Sequence, residues 1–459
     1  MSEAAIDERV RPAAPAAGSV SFGHPTGLWY LVLTEVWERF SYFGLTANLV
    51  LYMNLSLLQP DQARSVIGLD AMRAGLEAVL GPLTNLALAS QIFGLYAGFV
   101  YFTPILGGLI ADRWLGRRIC VVAGAVLMSL GHFAMAFTSM FLLALLLLIL
   151  GCGLLKGNIS TQVGELYATS DEAGRTRGFT LLSVGINIGA IAGPLLCGLL
   201  ASWYGWHAGF AAAGVLMLVG LATYLAGYRH LPESLPKRAT GQRQAEVLSR
   251  RQRTTVLWLC LVIAITVLTS VACYQKMNIG MIWIDQHVDL DVLGFKVPVS
   301  WFAAIGPIAS IIGVPLLFAL WDRQSERGRK PTEMGKIVTG AWLAAASNAV
   351  LAAICLFSGR PSWLVPLGYT AALGLAYLYY WPALMALVAR AAPPRLKGTL
   401  MSCVFLSLFA ANIIIGWLGK FYDDLGPAGF WALEAAVGVV GALLAVVLKE
   451  RVEARLVCP

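Results

Sequence analysis

Apolar residues run along this chain in long blocks separated by short polar stretches, a pattern that predicts membrane-crossing helices rather than the amphipathic elements of a soluble core. The segments Thr138 to Leu155 and Ala436 to Leu448 contain no charged residue. Twelve spans are expected, at 28–54, 84–111, 118–138, 141–166, 178–201, 207–228, 255–277, 298–321, 335–357, 362–389, 399–419 and 428–448. The basic stretch from Arg229 to Arg253 is too polar to span and divides them into two groups of six. The expected organisation is a tail at 1–27, an N-terminal six-helix bundle at 28–228, a basic linker at 229–254, a C-terminal six-helix bundle at 255–448 and a tail at 449–459. The fold class is thus an all-α polytopic membrane protein.

Composition agrees: 58% of residues are hydrophobic and 13% charged, and mean hydropathy is +0.73. The charge adds an orientation. With the amino terminus inside, the predicted cytosolic segments hold 25 of the 33 Lys and Arg residues and the outer segments hold 6. That bias places both termini in the cytosol and the protein in the cell (inner) membrane. The net charge of +8 is then loop charge facing anionic lipid, which gives no support to a nucleic-acid partner. The first 25 residues lack an apolar stretch followed by a small-residue cleavage site, so a cytosolic tail is expected rather than a signal peptide. Seven of the eight cysteines fall within or at the ends of spans, without metal-ligand spacing, and read as packing residues. No metal constellation, Ser–His pairing or nucleotide loop is present, so neither an enzyme nor a bound cofactor is expected.

The remaining two basic residues, Arg39 and Lys156, sit in the middle of spans one and four. Arg39 stands beside Glu35 and Glu38. A charge at the bilayer centre costs roughly 2.5–3.5 kcal/mol on insertion scales, so four such groups of balancing sign mark a functional site. Spacings of three and four put Glu35, Glu38 and Arg39 along one side of a helix, with Tyr42 and Thr46 continuing the stripe. At about 1.5 Å per residue, Glu35 to Arg39 lie about 10–17 Å deep and Lys156 about 15 Å, which allows a direct contact across the bundle. With all four charged the cluster is neutral. Protonating one glutamate leaves +1 and frees a base, so proton binding can be coupled to anion binding by charge balance alone. The competing reading is an ion-pair network that locks two helices.

Weak internal repetition links the halves. Asp112-Arg113-Trp-Leu-Gly116-Arg117-Arg118 follows span two, and Asp322-Arg323 through Gly328-Arg329-Lys330 follows span eight. Arg175-Thr-Arg177-Gly178 is echoed by Arg395-Leu-Lys397-Gly398. Such repeats fit two related bundles rocking around a midplane site. The first loop resembles the signature loop of the major facilitator superfamily, which implies two six-helix bundles and gives Asp112 and Arg113 a gating role at the cytosolic helix ends. The first helix resembles a branch of that superfamily: Glu35-Val-Trp-Glu38-Arg39-Phe40-Ser-Tyr42-Phe43-Gly44 is similar to the E-x-x-E-R-F-x-Y-Y-G motif of the proton-dependent oligopeptide transporters. Gly151-Cys-Gly-Leu-Leu-Lys156-Gly-Asn158 and Ile186-Asn187-Ile-Gly189 resemble that family's fourth and fifth helices.

The resemblance implies proton coupling by Glu35, Glu38, Arg39 and Lys156. It offers Tyr42, Tyr96, Tyr101, Lys156, Asn187, Gln275, Tyr377 and Trp381 as substrate contacts, each with packing as its alternative. The pocket also departs from the family pattern. Thr46 stands where peptide-binding members carry an arginine for the substrate carboxylate, Tyr377 where they carry a glutamate for the peptide amine, and Gly306 and Val404 replace an asparagine and a tryptophan. Gln275 is kept but is followed by Lys276. Asn158 is as well explained by helix packing as by binding, His132 reads as packing, Glu434 as structural or rim-exposed, and Glu165 has no assigned role. The expected function is a proton-coupled symporter, monomeric and surrounded by lipid, importing small peptides or peptide-like solutes by alternating access with protons as coupling ion. The alternatives are a proton-driven exporter or carrier of a non-peptide anion, and a receptor that binds without transporting.

Overall fold

The computed structural model describes residues 20–168, 170–233, 249–328 and 331–456. Most of the expected first tail and of the basic linker lie outside these residues, as do Arg329, Lys330 and the last three positions.

Twelve long helices occur among the described residues: α1 (Thr26–Tyr52), α2 (Asn85–Ile110), α3 (Arg117–Ala134), α4 (Phe141–Glu165), α5 (Glu172–Tyr204), α6 (Trp206–Gly227), α7 (Arg250–Tyr274), α8 (Trp301–Glu326), α9 (Glu333–Phe357), α10 (Leu364–Ala391), α11 (Lys397–Leu418) and α12 (Tyr422–Leu456). Ten helical stretches are long and apolar enough to cross a membrane, and one of them, Lys397–Arg455, contains both α11 and α12. The remaining helix is α1, in which every stretch of spanning length carries Glu35, Glu38 and Arg39. The protein is an all-α polytopic membrane protein, as the hydrophobic blocks predict.

Helix ends differ from expectation where local chemistry extends them. Helix α7 starts inside the predicted linker because Ser249 and Gln252 form a reciprocal capping box that satisfies two end N–H groups. Helix α12 continues past residue 448, and Thr332 at the start of α9 donates to Glu453 within that extension. Its other end bends at Gly426, where φ is 64°, just before Pro427.

The two halves repeat one packing scheme. In the first, α1 packs on α5 and α6, α2 on α4, and α3 on α4 and α6; in the second, α7 packs on α11 and α12, α8 on α10, and α9 on α10 and α12. Between the halves, α2 meets α11 and α5 meets α8. The hydrogen bonds that cross between halves lie on the side away from the termini: Asn278 Nδ2 donates to Ser90 Oγ (2.6 Å), Ser90 Oγ to the Gly416 carbonyl (3.1 Å), Thr84 Oγ1 to Asp423 (2.7 Å), and Trp301 Nε1 to the Leu195 carbonyl (2.9 Å). No comparable packing joins α4 or α5 to α10 or α11 on the terminal side among the described residues. Among the described residues, the bundles are therefore latched chiefly at the far side.

Candidate functional site

On α1 the three charged groups fold onto one another. Arg39 Nη2 donates to Glu38 Oε1 at 2.5 Å, Arg39 Nε donates to Glu38 Oε2, and Arg39 Nε lies 3.3 Å from Glu35 Oε1. All three side chains are buried, Glu38 completely. Glu35 Oε2 has no hydrogen-bond partner among the described residues. Cys152 Sγ, one turn before Lys156 on α4, sits 3.8 Å from Glu38 Oε1. Glycines on α5 set this arrangement. A Cβ on Gly189 would lie 2.6 Å from Arg39 Cβ and 2.8 Å from the Phe40 nitrogen, so only glycine lets α5 press against the stem of Arg39. The guanidinium is left facing the carboxylates.

Lys156 stands apart from them. The depth count allowed a direct ion pair across the bundle, but the ammonium instead lies 4.5 Å from the centre of the Tyr101 ring and 6.0 Å from that of Tyr42, with no carboxylate within 4 Å among the described residues. Arg39 approaches the Tyr42 ring to 5.2 Å. Tyr42 thus separates a trio of formal charge −1 from a lysine of charge +1, and its ring stacks toward Tyr96 at 6.5 Å. Cation–π contact holds the ammonium while leaving its N–H donors unpaired.

The second half contributes an aromatic wall. Tyr377 packs edge-on against Tyr274 at 6.4 Å and stacks on Trp381 at 6.1 Å, and Tyr101 of the first half lies within electrostatic range of Tyr274 and Tyr377. Helix α7 breaks after Tyr274. Gln275 follows, fully buried with neither amide atom hydrogen-bonded among the described residues, and then Lys276. Of the expected substrate contacts, Tyr42, Tyr96, Tyr101 and Lys156 come together around the cluster, and Tyr377 and Trp381 come together on the opposing wall. Asn187 is not brought into either group: it is half-exposed on α5, and its amide donates to the Ser183 carbonyl at 2.9 Å.

At the terminal side the charge clamp centres on Arg117 rather than on Arg113. Arg117 donates to Asp112 at 2.8 Å and also to Glu165, tying the end of α2 to α4, whereas Arg113 is exposed and unpaired among the described residues. The reason is geometric, because Arg117 opens α3 after the turn at Gly116 and projects back over the helix ends. Glu165, unassigned from sequence, is a member of this clamp. Asn158 donates to the carbonyls of Leu154 (2.7 Å) and Gly107 (3.4 Å), a packing role. Glu434 corrects the rim-exposed alternative: it is completely buried on α12, with neither oxygen partnered among the described residues. Two contributors were missed, Cys152 and the Ser90–Asn278 latch. The first had a signal in its i−4 spacing from Lys156; the second had none, because nothing in either short polar stretch, Ser90-Gln91 or Gln275 to Asn278, names the other as its partner.

Comparison with known proteins places this geometry. A family model described as Major Facilitator Superfamily matches residues 39–416. The peptide transporter YePEPT of Yersinia enterocolitica is 29% identical over an alignment covering 93% of this chain and 94% of that protein. A di-/tripeptide transporter of Lactococcus lactis subsp. cremoris is 27% identical, with 94% and 96% covered. Among solved structures, a peptide transporter POT crystallised with sulfate superimposes with a TM-score of 0.82 at 25% identity, covering 95% of this chain and 97% of that one.

Proposed function

The chain belongs to the major facilitator superfamily, and from that premise we propose that it is a proton-coupled symporter importing small peptides or peptide-like organic solutes by alternating access. Family and fold are those of a transporter, not an enzyme. The relatives named as peptide transporters align over more than nine-tenths of the chain, which supports the substrate class. The observation that carries the mechanism is the division of the buried charges into a carboxylate–arginine trio and a lysine standing free on Tyr101.

In this reading the terminal side faces the cytosol, so a molecule latched on the far side is inward-facing. With both carboxylates ionised, the trio attracts Lys156 and competes with an anionic group of the solute for it. A proton on either carboxylate brings the trio to zero, releases Lys156 to the solute and lets the loaded carrier close. Loss of that proton toward the cytosol restores the attraction and expels the solute. Arg117, joining Asp112 and Glu165, holds the ends of α2, α3 and α4 together so that the first bundle moves as one body. The protein acts as a monomer in the inner membrane, with protons as coupling ion and no cofactor.

The test is a thermal-shift screen of the purified protein against dipeptides, N-blocked dipeptides and small organic anions, followed by uptake of each hit into proteoliposomes. Concentrative uptake driven by an inward proton gradient and abolished by a protonophore is expected. Binding without uptake would favour a receptor, and hits confined to non-peptide anions would replace the substrate class.

A further inference from the structure

We propose that the break in α7 at Gln275–Asn278 is a second anion-binding site, in which Lys276 takes an acidic group of the solute, so that the preferred solutes carry two acids, one for Lys156 and one for Lys276. This rests on the symport reading above and narrows its substrate class.

Four observations meet at this segment. First, Lys276 lies between α7, α8 and α10: its Nζ is 2.9 Å from the point where a Cβ on Gly306 would sit, and the Thr370 carbonyl is 3.8 Å from the same point. Gly306, just before Pro307, leaves the space that the ammonium occupies. Second, that ammonium makes no ion pair within 4 Å and no hydrogen bond among the described residues, although the side chain is largely enclosed. The buried acid of this half, Glu434 on α12, makes no ion pair with it, and neither of its oxygens is hydrogen-bonded among the described residues. A cation placed among apolar helices is costly unless something pairs with it.

Third, the neighbours of Lys276 also hold unspent hydrogen-bonding capacity. Both amide atoms of Gln275 and the Oδ1 of Asn278 are buried without partners among the described residues. Groups of this kind are rarely left unmade in an interior, and a broken helix at membrane depth is tolerated where it lines a binding cavity. Fourth, the break adjoins the aromatic wall already described. Tyr274, the residue before it, packs on Tyr377 and lies within electrostatic range of Tyr101, whose ring carries Lys156. The two free lysines therefore stand on opposite bundles with aromatic rings between them.

Among the described residues no carboxylate offsets them on the second wall, where Tyr377, Trp381 and Gln275 are neutral. An ammonium end would meet like charge there, whereas a carboxylate would complete the site. The same segment closes the far side, since Asn278 donates to Ser90 across the halves. A solute held by Lys276 thus sits at the base of the closed latch.

The test compares alanyl-glutamate with alanyl-glutamine, which differ by one acid, as ligands of the purified full chain by quenching of tryptophan fluorescence. The parent is expected to bind alanyl-glutamate roughly 10–100-fold more tightly, the range of one charge-assisted contact. Lys276→Gln should reduce that ratio to within about threefold while leaving alanyl-glutamine affinity little changed, and Lys276→Arg should keep most of the preference. Melting curves of all variants establish folding, and Lys276→Met, uncharged and of similar length, carries the test with the same expected loss of preference if the glutamine variant is unstable. Equal binding of the two dipeptides by the parent, or an undiminished preference in Lys276→Gln, overturns this proposal and leaves the symport reading standing. No binding or uptake of either dipeptide or of the other screened solutes overturns both.

Discussion

Replacing Arg39 with methionine removes a buried guanidinium that serves two buried carboxylates, and the structure fixes what is lost. Glu38 loses two charge-assisted hydrogen bonds and Glu35 loses its 3.3 Å ion pair, its other oxygen being already unpartnered. Removing one partner of a buried pair costs about 3–5 kcal/mol, and the upper part of that range is expected here because both acids are orphaned. Removing all three charges together in Glu35→Gln/Glu38→Gln/Arg39→Met is close to neutral for stability by the same reasoning, since no buried charge remains unpaired. Melting of detergent-purified protein, read from tryptophan fluorescence, should place Arg39→Met several degrees below the parent and the triple variant near it. The deficit of Arg39→Met should shrink from pH 8 to pH 5.5: its orphaned carboxylates can bind protons on unfavourable charge, so falling pH relieves a penalty the parent does not have. Arg39→Met melting with the parent, or the triple variant melting with Arg39→Met, would refute the idea of a mutually compensating buried cluster.

Other expectations follow from particular contacts. Gly189→Val drives a side chain into the backbone of α1 at Arg39 and Phe40 and should cost about 1–3 kcal/mol and transport, whereas Gly359→Val, with nothing within 4 Å, should be silent in the same melting and uptake assays. Asn278→Ala removes one bond between halves, and Ser90→Ala removes that bond together with the one to the Gly416 carbonyl, so the double variant should be no worse than Ser90→Ala alone; spin-label distances between Gln62 and Leu293 should broaden toward far-side opening in all three, least in Asn278→Ala. Because Lys156 is unpaired and the second wall offers no carboxylate among the described residues, amidating the carboxylate of a bound N-blocked or free peptide should weaken affinity roughly 10–150-fold, while acetylating its amine should cost less than about tenfold in a competition assay.

The charges of α1 were legible because the membrane makes them so: Glu35, Glu38 and Arg39 interrupt a run that is otherwise apolar, and helical spacing alone puts them on one face. The twelve helices were legible for the same reason, and the pairing of five packing contacts with their counterparts in the second half matches the short loop repeats. What sequence did not contain was lateral register. Depth along the helix axis put Lys156 level with the carboxylates, but which way α4 faces is decided by close approach to α2, where a Cβ on Gly153 would sit 2.6 Å from Thr103 Cβ. That rotation turns the lysine onto Tyr101. Arg117 was hidden behind Arg113 because both belong to one loop and only the turn at Gly116 distinguishes their directions. Glu434 looked like a rim residue from its place near a helix end, yet Trp431 and Tyr369 pack around that turn of α12.

The central claim is that a buried carboxylate and the free lysine exchange charge with proton and solute. Uptake of a confirmed solute into proteoliposomes carrying the parent, Glu38→Gln or Lys156→Ala tests it most directly, with an inward proton gradient in one arm and solute counterflow without a gradient in the other. The account predicts accumulation by the parent and none by either variant, with counterflow surviving in Glu38→Gln, whose fixed neutral side chain mimics the loaded trio. Near-parental accumulation by both variants would contradict it and leave the cluster as a structural lock.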